Sequence, residues 1–413
     1  MLFHGDNLDI LKKFPDESID SVVTDPPYGL SREPDMREVL EHWIAGDDYT
    51  HRGRGFMGKA WDSFVPGPAL WREVYRVLKP GAHVLSFFGT RTYDMGVLAM
   101  RIAGFEIRDQ IDWIYGSGFP KSLDFAADTV ETLKQGRRVI KAEFENHPQA
   151  EGYGTALKPA HEPIVLARKP LAGTVSANVL EHGTGGLAID ACRIGDKGGT
   201  RAVGPAPNNN NVFGQNMGGQ AYEPAGGRWP ANVLFNGEAA ALLDVQSGNL
   251  KGGTAVRRNN TRGGVANIVK AHAPGTPDLG YGDSGGASRF FYVAKPSTRE
   301  REAGCEHLRK ASAGEMTGGR EEGSAGLDNP RAGAGRKSEG RANVHPTVKP
   351  IELMRYLVRL VTPPGGLVLD PFAGSGTTLC AAALERRKFI GCEINSEYCE
   401  IAKARIAYWT PKG

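Results

Sequence analysis

The chain of 413 residues has only five cysteines, Cys192, Cys305, Cys380, Cys392 and Cys399, and no two of them form a C-x-x-C pair. Neither a disulfide-framed secreted fold nor a cysteine zinc site is expected; reduced thiols are. No apolar run reaches the length of a membrane span, and the start Met1-Leu2-Phe3-His4-Gly5-Asp6 has no basic stretch followed by a long apolar core. An unexported cytoplasmic protein with no membrane partner is therefore expected. An excess of one charge is also missing: 50 Lys plus Arg face 47 Asp plus Glu. That balance admits a nucleic-acid partner without arguing for one. Two nucleotide signatures are absent. The phosphate-binding G-x-x-x-x-G-K-S/T does not occur, and the glycine loop near the carboxyl end lacks the third glycine of G-x-G-x-x-G.

What is present is an alternation of helical and strand periods, with 40% apolar residues, enough for one large core or two domains. Residues 2–4 read as a strand ending at Gly5-Asp6-Asn7, and Leu8, Ile10, Leu11 and Phe14 as a short helix. Asp6 either caps that helix or stands at the ligand edge of an open sheet. A helix is expected over 36–43 and another over 70–78, the second stopped by a Lys79-Pro80-Gly81 turn. Strands follow at 84–88, 105–115 and 162–168, with a helix between the first two and a charged helical stretch at 124–147. His161, beside prolines, reads as structural rather than as a base. The pattern is that of an α/β sheet.

Two stretches carry chemistry. The apolar run 19–23 ends in Thr24-Asp25-Pro26-Pro27-Tyr28-Gly29, where two prolines hold the Asp25 carboxylate and neighbouring carbonyls in one arrangement. Such a turn can grip a planar group bearing an exocyclic amine. Tyr28 offers a stacking face, and Asp25 and the Pro26 carbonyl offer acceptors. Near the other end, residues 365–378 are a turn, an apolar strand and the loop Asp370-Pro371-Phe372-Ala373-Gly374-Ser375-Gly376-Thr377, running into a helix over 378–386. Gly374 and Gly376 would let the backbone approach a ligand closely. The next strand ends in Glu393, 17 residues beyond Gly376, a spacing that suits the hydroxyls of a ribose. Before this loop, His345-Pro346-Thr347-Val348-Lys349-Pro350 opens a helix that Thr347 and Pro350 could simply cap.

Between the two stretches the composition changes. Residues 171–344 hold 33 of the 55 glycines and 20 Lys plus Arg against 16 Asp plus Glu. Its two apolar islands, 227–235 and 289–295, suggest a small loop-rich domain, whereas 311–342 reads as a flexible segment. The basic, aromatic and glycine-rich run 51–59 suits a loop facing nucleic acid.

Asp25-Pro26-Pro27-Tyr28 resembles the catalytic motif of the amino-methyltransferases of DNA. Asp370 to Gly376 resembles their S-adenosylmethionine loop, and His345 to Pro350 the motif that holds the methionine end of that cofactor. The order, catalytic motif first and cofactor loop last, is that of the circularly permuted β class. The loops 55–59 and 116–122 resemble those of phage and prophage members. The likeness covers roughly residues 1–170 and 343–409.

It implies an α/β methyltransferase fold with a mixed seven-stranded sheet. In it, 1–170 is the catalytic half, 171–342 an inserted target-recognition region and 343–413 the cofactor half. The catalytic and cofactor motifs should meet at adjacent strand ends. It further implies catalysis by Asp25, Pro26, Pro27 and Tyr28 without a metal. S-adenosyl-L-methionine would be held by Asp6, His345, Thr347, Lys349, Asp370, Phe372, Gly374, Ser375, Gly376, Thr377 and Glu393, with Lys349 on its carboxylate. The expected partner is double-stranded DNA in a bacterial or phage setting. A homodimer is a family expectation, and a restriction endonuclease partner stays open. The expected reaction is methylation of adenine N6 after base flipping. Cytosine N4 methylation, a nicotinamide-dependent oxidoreductase and an inactive DNA-binding module are the alternatives.

Overall fold

A computed structural model of the chain describes residues 1–30, 33–51, 62–118, 130–132, 138–140, 153–196, 198, 200–203, 221–224, 226–251, 283–294, 300–312, 315 and 340–411. Most of the 51–59 run, residues 119–122 and most of 311–342 lie outside the described residues. Among those described, no helix is long and apolar enough to cross a membrane.

The strands come in the order β1 (Leu2–His4), β2 (Ile19–Thr24), β3 (Leu78–Phe87) and β4 (Glu106–Ile114), then the pair β5 (Val130–Thr132) and β6 (Arg138–Ile140). They continue with β7 (His161–Arg168), the pair β8 (Thr200–Val203) and β9 (Ala221–Pro224), and β10 (Val233–Asn236). Last are β11 (Leu250–Lys251), β12 (Ser284–Gly285), β13 (Tyr292–Ala294), β14 (Leu367–Asp370) and β15 (Lys388–Glu393). One sheet runs β1-β15-β14-β2-β3-β7-β4-β10-β13, and β7 alone in it is antiparallel to its neighbours.

This sheet joins the two ends of the sequence. β1 pairs with β15, Leu2 opposite Gly391, and β2 pairs with β14, Val22 opposite Leu369. The expected adjacency of N- and C-terminal strands is thus present. Successive residues of a strand face opposite sides. Accordingly Val22 and Val84 enter one core with Trp43, Trp71 and Met100, while Val23 and Leu85 enter the other with Leu353, Leu357 and Ala382. Helices Met36–Ala45, Pro68–Val77 and Tyr93–Ile102 supply the first layer, and Ile351–Val361 and Thr377–Leu384 the second.

Three expectations need correction. Among the described residues the sheet has nine strands, not seven. The two apolar islands of the insert extend it as β10 and β13, pairing Leu234 with Trp113 and then Phe235 with Val293. Alternating apolar residues at a free sheet edge gain both backbone partners and a buried face there. The Lys79-Pro80-Gly81 turn is not a separate turn. Pairing already begins at Leu78 opposite Ile19, and the extra residues are absorbed as a bulge before Ser21 meets His83. Finally, the described part of 124–147 is the antiparallel pair β5 and β6, where Val130, Val139 and Ile140 favour strand over helix.

Candidate active site

Thr24 to Gly29 leaves the carboxyl end of β2 and is pinned by its neighbours. Asp62 Oδ1 accepts the N–H groups of Tyr28 (2.8 Å) and Gly29 (3.1 Å), and the Thr92 hydroxyl donates to the Tyr28 carbonyl (2.6 Å). Gly29 has φ of 66°, and a Cβ there would lie 3.0 Å from the Phe64 backbone, so the turn needs glycine. The Thr24 hydroxyl donates to Asp370 Oδ1 (2.7 Å), tying the end of β2 to the end of β14.

The side chains around Asp25 form a closed polar cluster. Lys349 Nζ lies 2.8 Å from Asp25 Oδ2, 2.9 Å from Glu162 Oε2 and 3.0 Å from the Tyr28 hydroxyl. An ammonium has three N–H donors, and these oxygens take all of them. The Tyr28 hydroxyl stands 2.9 Å from Asp25 Oδ1 and 2.9 Å from Glu162 Oε2, with one proton to serve both. Burial, reinforced by the two carboxylates, pushes the Tyr28 phenol well above its ordinary range, so it remains a neutral donor. Burial works against the charge on Lys349, but Asp25 and Glu162 outweigh it and hold the ammonium above the ordinary lysine value.

Lys349, expected on the cofactor carboxylate, lines the cavity but directs its donors to this cluster. The cluster also adds Glu162, which the sequence pattern places only at the start of a strand. Glu162 reaches the site because β7 is antiparallel, so its amino end meets the edge where the other strands end. The signal that could have found it is an acid, rather than an apolar residue, opening a buried strand. His161 beside it is exposed and off the cavity wall.

A cavity of about 550 Å³ opens at this edge, and of the site residues read from the sequence only Gly376 is not on its wall. Several have a second engagement. Asp6 Oδ1 caps the helix Asn7–Leu11 through the N–H groups of Leu8 (2.9 Å) and Asp9 (3.3 Å), while still lining the cavity. Glu393 accepts Gly374 N–H and Asn395 N–H, each at 2.8 Å, and burial raises its carboxyl. With the Ile394 N–H as a third donor, one lone pair of the carboxylate remains for a ligand. Burial raises Asp370 to about 6 despite its bonds from Thr24, Thr378 and the Phe372 N–H. Burial lowers His345 to about 4; its Nδ1 is 2.6 Å from the Thr347 carbonyl, which fixes a neutral ring with the proton on Nδ1.

The two loop glycines make room for the protein itself. A Cβ on Gly374 (φ 49°) would lie 2.7 Å from His345 Nε2, and one on Gly376 (φ 76°) 2.9 Å from Ala402 Cβ. The Ser375 and Thr377 hydroxyls serve the scaffold too, because the buried Arg405 donates through Nη1 to the Ser375 carbonyl (2.6 Å), Ser375 Oγ (2.8 Å) and Thr377 Oγ1 (3.0 Å). A charge beside Ile401 and Ala402 on the apolar face of the helix Ser396–Trp409 was the available hint.

DNA adenine methyltransferase YhdJ of Escherichia coli (strain K12) is 50% identical over 62 residues, 15% of this chain and 21% of that protein. Orphan methyltransferase M.BamHII of Bacillus amyloliquefaciens is 47% identical over 62 residues, 15% of this chain and 23% of that protein. The chain thus spans less than a third of the length of these curated relatives. Among solved structures, the cytosine-N4-specific PvuII DNA methyltransferase aligns at a TM-score of 0.41 and 15% identity, covering 98% of this chain and 85% of that one. The model of the N6_N4_Mtase family, described as DNA methylase, matches residues 19–404. With both motifs inside that match and on one cavity, the chain belongs to the N6/N4 DNA methylase family.

Proposed function

We propose that the chain transfers a methyl group from S-adenosylmethionine to the N6 amine of adenine in double-stranded DNA. The observation that carries this reading is the pairing of β2 with β14, which sets the Asp25 cluster and the 370–377 loop on one cavity. The wall suits the cofactor. Six carboxylates, of Asp6, Asp25, Asp62, Glu162, Asp370 and Glu393, line it and favour a ligand bearing a sulfonium and an ammonium. S-adenosylmethionine, when bound, supplies an electrophilic methyl.

The chain's own residues do the rest. The target base must leave the duplex stack, at a cost of a few kcal/mol, and Tyr28 gives it a ring to stack on. Asp25 and the Pro26 carbonyl accept the two N–H bonds of the amine, which draws its lone pair out of the ring and towards the methyl. Lys349 and the Tyr28 hydroxyl hold the Asp25 carboxylate in place while it does so. Preorganised acceptors and fixed positioning lower the barrier without a covalent step. Asp25 is also the nearest base for the proton that the methylated nitrogen releases. The insert at 171–342 is read as the part that selects the DNA site.

Transfer of a labelled methyl group to unmodified duplex DNA, with identification of the nucleoside, tests the reading. N6-methyladenine supports it; N4-methylcytosine keeps the mechanism but changes the base. A cofactor-loaded protein that leaves DNA unlabelled overturns it.

A further inference from the structure

Among the described residues lining the cavity, the basic side chains are Arg301, His345 and Lys349. A cofactor with an amino-acid end brings a carboxylate into a wall that carries six carboxylates of its own, so it needs a cation to meet. Lys349 cannot serve without leaving Asp25, Glu162 or Tyr28, because each of its N–H bonds already has an acceptor. His345 is neutral, since burial lowers it to about 4.

Arg301 is different. It comes from the end of the insert, outside both motifs. Its Nη2 donates to the carbonyls of His345 and Asn343 (3.4 Å for the latter), so the guanidinium is anchored on the segment Asn343 to His345, just before Lys349. Among the described residues its buried Nε has no hydrogen-bond partner, and Glu302 Oε1, at 3.9 Å, is too far to be one. A guanidinium has five N–H donors in a planar fork that matches a carboxylate. Arg341 and Arg405 add positive potential nearby.

We propose that Arg301 is the residue that receives the α-carboxylate of S-adenosylmethionine, so that the insert completes the cofactor pocket. The inference rests on the reading of this cavity as an S-adenosylmethionine site. It gives the insert a second task besides choosing DNA.

The test compares two ligands that share adenosine and a thioether but differ in the amino-acid end: S-adenosylhomocysteine and 5′-methylthioadenosine. Their binding to the full chain is measured by calorimetry for wild type, Arg301→Gln and Arg301→Lys. Arg301→Gln should weaken S-adenosylhomocysteine by roughly ten- to a hundredfold, as for the loss of a charge-assisted contact, and leave 5′-methylthioadenosine unchanged within about twofold. Arg301→Lys, which keeps the charge, should recover part of the loss. Equal weakening of both ligands would reduce Arg301 to a scaffold residue, and no weakening of either would remove it from the pocket; both outcomes overturn the proposal. A wild-type protein that binds neither ligand would overturn the cofactor reading beneath it.

Discussion

Replacing Lys349 by Met keeps the length of the side chain and removes its charge. Asp25 and Glu162 are then left on either side of the Tyr28 hydroxyl, each still 2.9 Å from it, with no cation between them. Two unit charges about 5 Å apart, at an effective dielectric constant of about 20, repel by about 3 kcal/mol. The repulsion pushes the Asp25 carboxylate away from the position in which it accepts the target amine. At about 1.36 kcal/mol per factor of ten, kcat in Lys349→Met should fall by up to about a hundredfold. Single-turnover methyl transfer to duplex DNA reads the rate, and calorimetry with S-adenosylhomocysteine reads the pocket. Binding should stay within about threefold of wild type. A wild-type rate would refute the electrostatic role. A loss of S-adenosylhomocysteine affinity that 5′-methylthioadenosine does not share would return the lysine to the cofactor carboxylate.

Other changes probe the supports of the site. Asp62→Ala leaves the Tyr28 and Gly29 N–H groups unpaired and should cost about 2 kcal/mol of stability or more, with kcat falling further than cofactor affinity; a variant with wild-type kcat would separate the turn from the rate. Gly376→Ala must place a Cβ at φ 76° and 2.9 Å from Ala402 Cβ, so chemical denaturation should show a loss of about 2–4 kcal/mol. His345, lowered to about 4 by burial, takes up its proton more readily in the unfolded chain. Stability is therefore full above pH ~6.5 and is lost as pH falls towards about 4, by about 3 kcal/mol. In His345→Gln the stability measured by denaturant titration should depend less on pH across that window, and an unchanged slope would contradict the assignment.

Much of the site could be read from residue order because its motifs stand at strand ends. A buried run such as Ile19 to Val23 followed by Asp25, or Leu367 to Leu369 followed by Asp370, shows both the strand and the residue it delivers to the edge. That β2 and β14 are neighbours followed from the resemblance and not from local pattern, since their pairing spans more than 340 residues. What stayed hidden depends on similar long-range contacts. Glu162 matters only because β7 runs antiparallel between β3 and β4. The partners of Lys349 could not be seen without knowing that Glu162 lies beside Asp25. Arg301 and Arg405 lie in stretches whose composition suggests linker or ordinary helix, and only burial distinguishes them. β10 and β13 are short runs of four and three residues whose partners lie elsewhere in the chain. Their alternation was visible, but the edge they join was not.

The central claim is that Asp25, held at the end of β2 beside the cofactor cavity, accepts the target amine. It is tested most directly by labelled methyl transfer to unmodified duplex DNA with wild type and Asp25→Ala, alongside S-adenosylhomocysteine binding to both. The account predicts N6-methyladenine from the wild type. For the variant it predicts no DNA label above background and cofactor-product affinity within about threefold of wild type. A variant that methylates DNA at close to the wild-type rate would contradict it.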